Sequence, residues 1–142
     1  MRRVVIGMLV LATVLVIAFW AVWYLVDRSL LATETAPAYI EHEQSFLLAD
    51  GWLAFCTLAG AVALWRRRPS ALFWIIAAGG AGLFLGAMDA LYDLGRNDWF
   101  GRGGAGYIEF GIVVLTCGFS ISLMSWAWRN RQELLGGFSP ED

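Results

Sequence analysis

The sequence predicts an all-α membrane protein, an antiparallel bundle of four transmembrane helices, and three observations carry that prediction. Four apolar stretches, at about 4–26, 45–65, 71–95 and 107–128, each reach the roughly 20 residues a helix needs to cross a bilayer. Hydrophobic residues make up 59% of the 142, and the mean hydropathy is +0.63, above the level of soluble domains. The third observation is the placement of arginine, which supplies all ten basic residues. Arg2, Arg3, Arg66, Arg67, Arg68, Arg129 and Arg131 fall at one end of the predicted helices, and Arg28, Arg96 and Arg102 at the other. An excess of positive charge stays in the cytoplasm during insertion, so both termini and the RRRPS turn are expected inside a bacterial inner membrane. Residues 1–142 then form a single four-helix domain.

The first span follows Arg2-Arg3 and precedes Ala36-Pro37-Ala38, which gives it the outline of a signal peptide. Its apolar run is far longer than the about 7–15 residues of a signal core, and the small-residue site lies well downstream, so a retained helix is expected. Thr13 is the one ordinary polar residue in its middle, the mark of a scaffold helix. Residues 27–44 are polar and contain Pro37, predicting an irregular loop with a short helical piece near its end. The second span carries a stripe of Asp50, Ala54, Thr57 and Ala61. Arg66–Ser70 reads as a tight turn, with Pro69 placed to open the third span. On that span Ala78, Gly82, Gly86, Asp89 and Asp93 share one face, and small residues at this spacing let helices approach closely. The glycine-rich stretch 96–106 reads as a flexible loop; its GRGGAG string lacks the lysine and helix context of a phosphate loop. The fourth span offers Glu109, Val113, Thr116 and Ser120, and the tail beyond Arg131 is expected to fray. Trp20, Trp23, Trp65, Trp126 and Trp128 fit aromatic belts at the two interfaces, and Tyr39, Tyr92 and Tyr107 fit interfacial anchors.

The chemistry of the chain centres on its acids. Asp89 and Asp93 stand one turn apart near the carboxyl end of a helix, where the macrodipole opposes further negative charge. Asp50 and Glu109 stand near amino ends, where it favours a carboxylate. By rise per residue, Asp50 and Asp89 lie about 7 and 9 Å in from the outer helix ends, so three helices bring acids to one depth. Nine acids at this end face three arginines. An aspartate at a helix centre costs roughly 2.5–3.5 kcal/mol on insertion scales, less towards the interface. Asp89 is therefore expected to carry a proton or to meet a cation or an arginine, while Arg96 stands three residues on from Asp93.

These positions predict an outward-facing ligand site of Asp50, Asp89, Asp93 and Glu109, supported by Glu43, His42 and Arg96. Its ligand would be a cation or a cationic group, with transport as one use of the binding. Two alternatives stay open: an accessory or assembly subunit of a larger membrane complex, and a lipid-modifying enzyme using the carboxylates as acid and base. The balance is against an enzyme, and no catalytic residue is assigned. No motif names a cofactor or a metal. Glu-x-x-His pairs of a two-iron bundle are absent, and His42 is a lone loop histidine. Cys56 and Cys117 have no CxxC partner and read as free thiols. The lipid bilayer is the expected partner, with a membrane protein or a second copy as further ones, and nucleic acid is excluded by the scattered arginines. The strings GAMD and LYDL resemble in part the aspartate signatures of intramembrane aspartyl proteases, but the surrounding motifs and further helices of those families are missing. Small multidrug transporters also have four short helices, yet their central acid lies in helix one, which is uncharged here.

Overall fold

The computed structural model describes residues 1–27, 37–96 and 104–136, giving the backbone alone for 38, 39, 96, 104–106, 108 and 109. Every element among them is helical. Helix α1 spans Arg2–Ala21 and continues as a π-helical turn, Val22–Asp27. The others are α2 (Pro37–Ser45), α3 (Leu47–Trp65), α4 (Ala71–Arg96), α5 (Gly104–Arg129) and α6 (Arg131–Leu135). Four of them, α1 with its π turn, α3, α4 and α5, are long and apolar enough to cross a membrane. Their ends fall within about three residues of the expected ones, because the change from apolar to charged residues that ends a span is local and abrupt.

The helical piece expected before the second span is present, and the tail differs from expectation. The helical piece before the second span is nine residues long and is separated from α3 only by Phe46, whose backbone stays in the right-handed helical region. Phe46 N–H donates to Glu43 O and its own carbonyl accepts from Asp50 N–H, so α2 and α3 form a bent rod. The tail beyond Arg131 departs from a frayed end. It forms α6, and Leu134 is buried against the bundle, so an apolar contact holds it. The loop residues 28–36 and 97–103 lie outside the described residues, as do 137–142.

The turn after α3 shows what the arginines cost. Arg68 N–H donates to Ala63 O (2.8 Å) and Arg67 N–H to Leu64 O (3.3 Å), the paired bonds of a Schellman ending. This ending needs a left-handed residue, and Arg67 takes it at φ 53° where glycine would be less strained. A turn chosen for stability alone would place glycine there.

Side-chain packing is concentrated near this turn. Val5 and Leu9 near the start of α1 meet Ala61 and Leu64 near the end of α3, and Ala71 and Ile75 near the start of α4 join the same cluster. Leu123 and Ala127 from the end of α5 complete it, with Leu134 of α6. We call this the arginine end, and the end carrying α2 the carboxylate end.

The helices pack as a row: α1 on α3, α3 on α4, and α4 on α5. No interface of comparable extent joins α1 to α5 among the described residues. Specific contacts explain the order. At the α4–α5 interface, a Cβ built on Gly82 would stand 2.5 Å from Ser120 Oγ, and one on Gly86 would stand 2.7 Å from Cys117 Sγ. A Cβ on Gly79 would collide with Met124. Glycine at these three positions is therefore what lets α5 lie so close; Gly82 and Gly86 belong to the small-residue stripe expected from the sequence, and Gly79 does not. At the α1–α3 interface, the buried hydroxyls of Thr13 and Thr57 hydrogen-bond at 2.8 Å. Each also lies within bonding distance of carbonyls on its own helix, Leu9 O for Thr13 and Leu53 O and Ala54 O for Thr57. With one hydrogen per hydroxyl, one threonine donates across the interface while the other donates back along its helix.

Candidate functional site

Seven residues on from Thr13 along α1 is Trp20, and seven back from Thr57 along α3 is Asp50. These two meet as well: Trp20 Nε1 donates to Asp50 Oδ2 at 3.0 Å. The expected role of Trp20 and Trp23 as lipid-facing belt residues is thus corrected. Both are buried, and Trp20 packs edge-on to Phe19 and stacks on Tyr24. Trp65 and Trp128, by contrast, are exposed at the arginine end, as belt residues should be. Helix α1 is also more than a scaffold, since it supplies the hydrogen-bond donor to one of the expected site acids.

A cavity of about 810 Å³ lies between α1 and α5, with α3 and α4 behind it. Asp50 on α3, Asp89 and Asp93 on α4, and His42 and Glu43 on α2 all border it. Asp93 is buried, and Asp50 and Asp89 are half-buried. The bent rod explains the position of α2. It carries His42 over the end of α4, where the imidazole stacks face to face on Tyr92, ring centres 3.6 Å apart and planes 9° from parallel. Phe46 also packs edge-on with His42 and borders the cavity too. Tyr92 and His42 are thus part of the wall of the site; the tyrosine was expected only to anchor the interface.

Five of the seven expected site residues therefore share one cavity. The side chains of the other two, Glu109 and Arg96, lie outside the described residues, so the expected Asp93–Arg96 pair does too. Among the described residues, no group of three or more His, Cys, Asp or Glu side chains is gathered closely enough to hold a metal ion. The acids border a space larger than an ion rather than forming a coordination shell. Cys56 is buried and Cys117 half-buried against Gly86, and neither is in a disulfide.

The rest of the lining is apolar apart from Thr116 and Ser120, and comes largely from α1, from Met8 to Phe19, and from α5, from Ile112 to Ser120. Several of these residues are also exposed outwards: Leu15 is 59% exposed and Leu115 73%. A residue that both lines a cavity and faces outwards stands at its mouth. The cavity consequently opens sideways, along the seam where α1 and α5 do not pack.

Of the residues the sequence reading missed, Trp20 touches a site acid. Its signal was the matched seven-residue offset from the two threonines, legible only once Thr13 and Thr57 are known to meet. No family model matches the chain, and neither the curated proteins nor the solved structures include one similar to it.

Proposed function

We propose that the chain is a polytopic protein of the bacterial inner membrane, an antiparallel bundle with both termini in the cytoplasm, that binds a cationic group in its carboxylate-bordered cavity. The carrying observation is that acids from α3 and α4, with His42 and Glu43 of α2, border one space although they are distant in sequence. Ionisable residues inside a membrane bundle are costly to place and are functional-site candidates by default. The Trp20–Asp50 bond gives Asp50 a structural role beside any other. Asp89, whose place near a helix carboxyl end calls for a proton or a cation, is the residue that probes binding.

The experiment is a thermal melt in mild non-ionic detergent with tetramethylammonium chloride against sodium chloride at equal ionic strength. A ligand at ten times its Kd raises stability by about 1.4 kcal/mol. The wild type is expected to gain stability with tetramethylammonium concentration, and Asp89→Asn, which keeps the shape and removes the charge, is expected to melt normally and gain nothing. An Asp89→Asn protein that retains the full gain would overturn the reading.

A further inference from the structure

The cavity is poorly matched to a small free cation. Its volume of about 810 Å³ is in the range of drug-sized ligands, and its described acids form no ion-sized shell. The ionisable groups gather at one end, on α2 and the adjoining parts of α3 and α4, and the only other polar lining among the described residues is the hydroxyls of Thr116 and Ser120 on α5, while the lining from α1 is apolar from Met8 to Phe19. Those eleven residue steps correspond to about 16 Å of helix axis. Among the described residues no helix closes the space between α1 and α5, because α1 is held to α3 by Thr13–Thr57 and Trp20–Asp50 while α5 lies against the glycines of α4.

From this arrangement we infer that the ligand is a membrane-dwelling amphipathic amine, a cationic head on a long alkyl chain, which enters sideways through the seam between α1 and α5. The inference rests on the cation-binding reading and adds the ligand's class and its route. Charge complementarity places the head: an ammonium group is matched to the carboxylate end, whereas a phosphate or sulfate head would be repelled there. The chain occupies the trough along α1. Moving an alkyl chain from lipid into an apolar trough brings no hydrophobic gain, since both surroundings are apolar. Selectivity therefore comes from the head, and the trough serves to admit a molecule whose chain never leaves an apolar phase.

The test uses a long-chain alkylamine carrying a diazirine on its chain, with the uncharged alcohol of equal length as control. Protein in nanodiscs of phosphatidylglycerol, a lipid without an amine, is irradiated with each probe and the labelled residues are mapped by mass spectrometry. The amine is expected to label the seam, between Met8 and Phe19 on α1 and between Ile112 and Phe119 on α5, several-fold more than the alcohol does. That excess should fall to the alcohol's level in Asp89→Asn, and in Val16→Trp, which fills the trough. Equal seam labelling by amine and alcohol would overturn the inference, as would labelling spread evenly over the outer faces of all four long helices. A crosslink between two chains across the seam would also overturn it, because a protein helix would then occupy the space. If tetramethylammonium stabilises the protein through Asp89 but the amine shows no excess at the seam, this inference fails while the cation-binding reading stands; if neither effect appears, both fail.

Discussion

The two ends of the same helices are built on different principles. At the arginine end, small and aliphatic side chains from α1, α3, α4, α5 and α6 close on one another around Leu9, Leu64 and Ile75, all fully buried. At the carboxylate end contacts come in pairs, such as Trp20 with Asp50 and His42 of α2 with Tyr92, and a cavity opens there that runs along one side of α1 as far as Met8. One end is therefore a structural clamp and the other is free to hold something. The comparison teaches that a bundle this small need not be packed along its whole length: fixing four helices at one end leaves the other end available for a site.

The largest expected effect comes from removing bulk at the clamp. Leu9→Ala should cost about 2–5 kcal/mol, because the fully buried side chain leaves a hole that its neighbours fill only in part. Leu15→Ala, on the same helix but at the mouth of the cavity, should change stability by no more than about 0.5 kcal/mol. Reversible unfolding in mixed detergent measures both, and similar costs at the two positions would erase the distinction between the ends.

A smaller effect sharpens the account of why α5 follows α4. Gly82→Ala drives a methyl against Ser120 and should cost about 1–3 kcal/mol by overpacking. Gly118 is also mid-helix but has nothing within 4 Å of a built Cβ, so Gly118→Ala should be neutral or stabilising by up to about 1 kcal/mol. An equal loss for both would mean that close approach is not what holds these helices together.

The smallest effect is at the α1–α3 contact. A double-mutant cycle of Thr13→Val and Thr57→Val should give a coupling of about 0.6 kcal/mol, the typical value of an interhelical hydrogen bond in a membrane bundle. A coupling indistinguishable from zero would leave α1 attached by apolar packing alone.

The helices were legible in the sequence because hydropathy is a property read along one dimension. The stripe on α4 was legible too: glycine at Gly82 and Gly86 permits a close neighbour whatever that neighbour is. The acids were legible in part: Asp50, Asp89 and Asp93, expected at one end of the bundle, border one cavity, while the side chain of Glu109, expected at their depth, lies outside the described residues. The open seam was not legible. Helices α1 and α5 are apolar on almost every side, so nothing in their pattern says which faces meet a helix and which meet a gap. The docking of α6 and the bend at Phe46 were hidden for a related reason, because each depends on a surface contributed by distant residues. Trp20 shows the limit most clearly: an indole near a helix end fits an interfacial anchor and a hydrogen-bond donor equally well, and only the register between α1 and α3 separates them.

The central claim is that α1 packs on α3 while the seam between α1 and α5 stays open. Two cysteine pairs test it most directly in a Cys56→Ser, Cys117→Ser background. Thr13→Cys with Thr57→Cys joins positions whose hydroxyls now lie 2.8 Å apart, and Val16→Cys with Phe119→Cys spans the cavity from two of its lining residues. A disulfide needs its Cβ atoms within about 3.5–4.5 Å, so mild oxidation in native membranes should join the first pair rapidly. The second pair should stay reduced and be joined only by a long bifunctional crosslinker. Oxidation of the Val16–Phe119 pair as fast as the Thr13–Thr57 pair would show the bundle closed, and would contradict the account.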